Sequence, residues 1–287
     1  MTEREKQAMM KLTPIQRAES GLYLKRDDLF SPFGRGRVNG GKLRQAMWML
    51  FSDKPKGVIT GASLRSPQNV IVASIANYMR IPCICMNGGA TEESLTEKMP
   101  SLCKKYGAEI VVAKSGRHNV IYSQAKEIAE RNGYFVVEYG MNAREHVKAF
   151  YDTNANQVQN IPDELDNLVV TCGSGITSTG IIYGLRKYHK KVNNLILVGT
   201  APNRTEKIQE RLQMLNEPPA KFQYIDLYSQ KGFSYDKREH SIIALGKGNT
   251  LCLHPHYEAK VNNWIVNHID PMKEKTMLWI VGTEPVL

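Results

Sequence analysis

The sequence predicts an α/β fold with mostly parallel strands, and three observations predict it. From Val58 onward, short apolar runs rich in Val and Ile alternate with stretches of helical periodicity. The connections between them are polar turns of Gly, Ser, Thr, Asn and Pro. No apolar run approaches the roughly 18 residues that a membrane span needs, so burial in a globular core is the use left for the hydrophobic residues. Alternating strands and helices of this length put a parallel sheet beneath helices on both faces.

Residues 12–15 form an extended entry, because Pro14 biases its neighbour away from helix. Residues 22–24 alternate as a short strand that ends in Lys25-Arg26-Asp27-Asp28. After Asn39-Gly40-Gly41, the residues Leu43, Ala46, Met47 and Leu50 fall at i, i+3, i+4 and i+7, so Lys42 opens a buried helix. Lys54-Pro55-Lys56-Gly57 breaks the chain. Residues 58–61 read as a buried strand, followed by the polar turn 62–69 and a helix over 70–79.

The same unit recurs. Strands are expected at 82–86, 109–112 and 134–137, and helices at 91–106 and about 119–132. Thr91 is a plausible cap, and Pro100 is expected to kink or interrupt its helix. A helix over 147–160 leads to a strand at 167–171, a glycine-rich turn, and a helix ending near Tyr188. Residues 195–199 form the next strand and 224–235 are irregular and aromatic. Residues 241–245 are helical in character, and 277–281 form the last strand.

Hydrophobic content of 42% with 23% charged residues is ordinary for a soluble globular protein. The opening MTEREKQAMMK is charged and has no apolar centre, so neither a signal peptide nor a membrane anchor is expected. Cys83, Cys85, Cys172 and Cys252 lie in apolar segments, which fits a reducing compartment, and the chain reads as cytoplasmic. The 38 basic and 28 acidic residues leave a net charge of +10. That balance suits a polyanionic partner such as nucleic acid, or serves solubility alone.

Two stretches carry chemistry. A Lys near a helix N-terminus in a partly dry pocket has its ammonium form disfavoured, and the neutral amine can attack a carbonyl. Gly173, Ser174, Gly175, Ile176 and Thr177 lie between a strand and a helix, where backbone N–H groups and the positive helix end favour a phosphate. The turn lacks the Gly-Lys-Ser/Thr of a nucleotide-binding P-loop, and its glycine spacing is not that of a dinucleotide site. His254-Pro255-His256 has no third ligand at usable spacing, so no metal is expected.

Four separated pieces then agree in order: Lys after a Gly-Gly turn, Ser-x-Gln opening a helix, a Gly/Ser/Thr loop, and Pro-x-Tyr-Glu-x-Lys. With LYLKRDD, GGKLR, HPHYEAK and VGTEP, they make the chain resemble fold-type II pyridoxal-phosphate enzymes, the tryptophan synthase β-like group. Within that group it looks most like the 1-aminocyclopropane-1-carboxylate deaminase and D-cysteine desulfhydrase branch.

The resemblance implies two three-layer αβα domains with mostly parallel sheets. A larger cofactor-binding domain would comprise 1–50 plus 147–287, and a smaller inserted domain 51–146. It implies pyridoxal 5'-phosphate as cofactor, held as an imine by Lys42, with its phosphate on the 173–177 loop. Ser66 and Gln68 fall where the family holds the substrate carboxylate. Tyr257 resembles the aromatic beside the ring, Tyr235 a second active-site tyrosine, and Glu258 the partner of the pyridine nitrogen. Gly282 and Thr283 look like the residues that close the site near the ring.

Two departures stand out. The family writes Gly-Gly-Asn-Lys, whereas Asn39 precedes the glycines here. Pro67 stands where relatives carry an Asn that bonds the cofactor's phenolic oxygen, with Asn69 as a candidate replacement. The implied activity is deamination or lyase action at Cα of a small amino acid. An alternative is the same chemistry, for example decarboxylation, on an aminoacyl group attached to a nucleic-acid base, as in DNA base hypermodification. A third is an inactive binding protein on this fold. Relatives are commonly homodimers.

Overall fold

The computed structural model describes residues 1–34, 38–138, 140–141 and 147–285. The chain divides into two compact units: residues 1–9, 31–144 and 285–287 form one, and 10–30 with 145–284 the other.

The first unit begins with α1 (Glu3–Met10), nearly all of which belongs to it, while β1 (Ile15–Arg17) and β2 (Tyr23–Arg26) belong to the second. The chain then enters α2 (Gly41–Asp53), β3 (Val58–Ser63), α3 (Pro67–Met79), β4 (Cys83–Gly88), α4 (Lys98–Lys105), β5 (Glu109–Val112), α5 (His118–Asn132) and β6 (Phe135–Val137). These strands make a four-stranded, all-parallel sheet in the order β5-β4-β3-β6. Ile59, Ile84 and Met86 pack with Ile121, Ala125 and Ala129 of α5, and α2 and α3 pack against each other. Pro100 sits in the first turn of α4, where a missing N–H costs nothing; a short 3₁₀ turn, Glu93–Thr96, precedes it.

The second unit continues with α6 (Val147–Ala155), β7 (Glu164–Cys172), α7 (Ile176–Lys187), β8 (Lys191–Gly199), α8 (Thr205–Met214), β9 (Gln223–Asp226), β10 (Ile242–Gly246), β11 (Asn249–Cys252), α9 (Glu258–His268) and β12 (Thr276–Ile280). Its six-stranded sheet runs β1-β2-β12-β7-β8-β9, parallel except for β1 at the edge. Side-chain alternation feeds two cores. Leu168, Val170, Leu195, Leu197, Met277 and Trp279 face α7 and α8 residues such as Ile181 and Ile208. Val169, Ile196, Val198, Leu278 and Ile280 face Val261 and Ile265 of α9 on the other side. A sheet buried on both faces explains why these strands read as continuous apolar runs.

Four expectations need correction. Residues 241–245 are not helical: β10 pairs antiparallel with β11, and Gly246, Lys247 and Gly248 close the hairpin with φ of 88°, 54° and 76°. A short apolar run does not distinguish helix from strand by period, and the turn decides it. The segment expected to be wholly irregular begins with β9, an outer strand of the large sheet. Residues 1–9 and 31–50, placed with the larger domain by resemblance, belong to the four-stranded unit, where Arg44 ties α2 to Met9 and α2 packs on α3; the expected boundary at 146 lies outside the described residues. Finally, Cys252 is exposed, while Cys83, Cys85, Cys103 and Cys172 are buried free thiols. No described helix is long and apolar enough to cross a membrane.

Candidate active site

In the four-stranded unit, Gly40 caps α2 with φ 99°, a backbone setting that L side chains avoid. Lys42 is the second helical residue, half-buried, one place later than the sequence suggested. Leu43, Ala46, Met47 and Leu50 are buried beneath it, which fixes the helix end that carries the amine. Arg44, also buried, ties α2 to α1 through Nε and the Met9 carbonyl at 2.7 Å.

The turn from β3 into α3 is closed on itself. Ser66 is the N-cap, its Oγ accepting from Gln68 N at 3.3 Å, and Pro67 is the first helical residue, where its fixed φ suits the helix. The Gln68 amide donates to Thr60 Oγ1 (3.2 Å) and the Glu138 carbonyl (3.1 Å), and accepts from Gly140 N (2.8 Å). Asn69 donates to the Met86 carbonyl (2.9 Å) and Asn87 Oδ1 (3.2 Å), and accepts from Thr60 Oγ1 (3.4 Å). Both amides, 3% and 2% exposed, therefore pin neighbouring strand ends together.

The six-stranded unit presents its groups at the carboxyl ends of β7, β8 and β12. The turn after β7 enters α7 through Gly175, whose φ of 81° is left-handed. Its carbonyls are held from α8: Arg204 Nε donates to Gly173 O at 3.3 Å and Arg211 Nη1 to Ser174 O at 2.7 Å. The first-turn N–H groups of α7 have no intrahelical acceptor. A Cβ built on Gly173 meets nothing within 4 Å, leaving room for a bound group to approach the backbone closely. Just behind, burial pushes the Tyr151 hydroxyl up to about 12 and raises the Cys172 thiol, both opposed by the Arg211 charge.

Glu258, 3% exposed, opens α9 and accepts from Val281 N at 3.2 Å, which sets its carboxylate beside the end of β12. Tyr235 and Tyr257, one from the loop after β9 and one at the α9 N-cap, share a short hydroxyl–hydroxyl hydrogen bond. The Tyr235 ring stacks at 6.1 Å on His256, and the Tyr257 ring lies 4.7 Å from His254. Lys260 anchors this loop: Nζ donates to the Ser234 carbonyl at 2.6 Å and lies 4.4 Å from the Phe233 ring centre. Desolvation lowers its pKa, against the pull of Glu239 and Asp236. Thr283 is half-buried three residues beyond β12. Among the described residues no group of His, Cys, Asp and Glu could hold a metal ion.

A family model for the pyridoxal-phosphate dependent enzymes matches residues 7–240. This chain belongs to that family. It is accordingly a pyridoxal-phosphate enzyme of the fold-type II class, with pyridoxal 5'-phosphate as its cofactor. The chain is 25% identical to the O-seryl-dTMP PLP-dependent decarboxylase of Salmonella phage ViI, over 93% of this chain and 79% of that protein. Among solved structures it is similar to an ACC deaminase homologue, with a TM-score of 0.74 and 22% identity over 98% of this chain and 95% of the other. A fungal L-serine ammonia-lyase from Rhizomucor miehei gives 0.60 at 14% identity, over 96% and 94%. These likenesses show the shared fold.

The donor set of this pyridoxal-phosphate enzyme fits the cofactor. The open face at Gly173 accommodates a phosphate on helix-end N–H groups, and Glu258 is a buried carboxylate suited to a protonated ring nitrogen. Sequence reasoning missed Arg204 and Arg211, and named Lys260 only as part of a motif, without its anchoring role. The two arginines are 31 and 37 residues from the carbonyls they bind, and no local pattern announces such a contact.

Proposed function

We propose that this chain is a decarboxylase acting at Cα of an amino-acid group carried on a nucleotide, within DNA. Buried Glu258 is the observation that carries the Cα chemistry. The substrate class is taken over from the phage relative, and the net charge of +10 supports it, since phosphate contacts supply sequence-independent affinity. A base inside a duplex has to be extruded to reach such a site.

Bound here, pyridoxal phosphate supplies an electron sink for the pair left at Cα when the carboxylate departs as CO₂. In this reading Lys42 ties the cofactor to the chain, and its Nζ then delivers the proton that replaces the lost carboxylate at Cα. Gly173, Ser174, Gly175, Ile176 and Thr177 bind the phosphate through backbone N–H groups and the Thr177 hydroxyl. Glu258 keeps a proton on the ring nitrogen, which strengthens the sink. Ser66, at the positive end of α3, orients the substrate carboxylate. Gln68 and Asn69 brace that turn, and Thr283 flanks the ring. Tyr235 and Tyr257, joined hydroxyl to hydroxyl, flank the substrate side chain, which decarboxylation leaves intact.

That tyrosine pair favours a second reading, deamination or lyase action on a free small amino acid, in which a hydroxyl protonates the departing group. Mass spectrometry decides: purified enzyme incubated with DNA bearing an O-seryl pyrimidine is expected to release CO₂ and leave an aminoethyl group. Ammonia and keto acid from free amino acids, with the DNA unchanged, would replace the first reading by the second. The proposal includes a cytoplasmic homodimer, in keeping with the four buried free thiols and checked by sedimentation.

A further inference from the structure

The 173–177 turn is met by two guanidinium groups that no motif assigns. Arg204 stands at the N-cap of α8 and Arg211 two turns further along the same helix face. Arg204 Nε binds Gly173 O at 3.3 Å and Arg211 Nη1 binds Ser174 O at 2.7 Å. Among the described residues no carboxylate forms an ion pair with either arginine. Two half-buried positive charges are therefore placed at one turn, with no described carboxylate at ion-pair distance.

Resting on the reading that this turn takes the cofactor's phosphate, we propose that Arg204 and Arg211 are positioning residues for that phosphate, acting through the peptide groups of the turn. Gly173 O shares its peptide with Ser174 N–H, and Ser174 O with Gly175 N–H. A cation on the carbonyl polarises the unit and sharpens the N–H on its far side as a donor. The same bonds hold two carbonyl oxygens away from an incoming anion, which they would otherwise repel.

Crowding around the turn agrees with this division of faces. A Cβ on Gly175 would come within 3.2 Å of Arg211 Nη1 and 3.3 Å of Arg204 Cβ, whereas a Cβ on Gly173 meets open space. The arginines close one side of the turn, and the other is left for a ligand. Their charge is felt at Cys172, directly before the turn, where it opposes the rise that burial causes.

The test compares two ligands that differ only in the phosphate. Apoenzyme prepared from the wild type, R204M, R211M, R211K and the double methionine variant is titrated with pyridoxal 5'-phosphate and with pyridoxal, following the visible absorption band. R211M is expected to weaken the phosphorylated ligand about tenfold and the double variant about a hundredfold, with pyridoxal affinity changed by less than about twofold. R211K, which keeps the charge, is expected to recover part of the loss. A double variant with the wild-type ratio of the two affinities overturns the proposal. So does a loss that falls equally on both ligands together with a lowered melting temperature, since that marks a merely structural role. If the wild type itself fails to prefer the phosphorylated ligand, the phosphate reading of the turn falls, and the proposal with it.

Discussion

The turn from β3 into α3 and the turn from β7 into α7 share one plan, a parallel strand running into a helix through small and polar residues, and they use their hydrogen-bonding groups in opposite ways. At the first, Gln68 and Asn69 are buried and their amides are consumed by Thr60, Met86, Asn87, Glu138 and Gly140. At the second, side chains from α8 take the carbonyls, and the space above Gly173 is open. The difference teaches that side-chain amides spent on the fold, as at Gln68 and Asn69, are lost to a ligand, whereas donors left over after the fold has been satisfied can bind one.

The largest expected effect tests whether the amine outside both turns holds the cofactor. K42A should remove the visible absorption band and lower turnover by at least about a thousandfold, read by spectrum and product assay. An unchanged band would break the assignment of the amine.

The next change probes the closed turn. N69A should cost about 2–3 kcal/mol in urea unfolding, because it orphans two buried acceptors, yet shift cofactor affinity by less than about twofold. Weakened cofactor with an unmoved midpoint would reverse the comparison and make Asn69 the replacement for the polar residue lost at Pro67.

Two glycines sharpen the open turn. G175A forces a side chain into left-handed backbone with a Cβ 3.0 Å from Ile208 Cγ1, and should cost about 1–2 kcal/mol. G173A should unfold within about 0.5 kcal/mol of the wild type and bind the cofactor more weakly, since its methyl group occupies only the open face.

The smallest effect concerns Lys260, whose folded pKa lies below the unfolded value of 10.5. The unfolded chain then binds more protons in that interval, so this residue's contribution to stability grows as pH rises toward 10.5. K260M should flatten that rise in urea midpoints measured between pH 7 and 10.5. An identical slope would show that Lys260 does not titrate differently on folding.

Much of this was legible in the sequence where signals are local. Leu43, Ala46, Met47 and Leu50 announced the helix that carries Lys42, and all four are buried. The apolar runs at 58–61 and 195–199 became buried parallel strands, because a sheet covered on both faces selects continuous Val and Ile. Pairings made through space were hidden. The charged LYLKRDD stretch turns out to be structural: Lys25 Nζ binds the Thr13 carbonyl at 2.7 Å, and Arg26 grips Asp28 with two bonds of 2.9 and 2.8 Å. Helix α8 carried Ile208 and Leu212 at helical spacing and was passed over, so its arginines were missed as well. Of the site, residue types and order were readable, while the tyrosine hydroxyl contact and the bracing of the 173–177 turn depend on segments 22 to 37 positions apart.

The place of β12 in the large sheet has a consequence for how the molecule is made. Tyr23–Arg26 and Glu164–Cys172 are not neighbours in the sheet; residues 276–280 lie between them and hydrogen-bond to both. A growing polypeptide therefore leaves the ribosome with β2 paired to β1 on one side and waiting more than 250 residues for its partner on the other. Until that late segment emerges, two apolar edges stand open to wrong pairing, and this is the stage of synthesis at which a chaperone has most to protect.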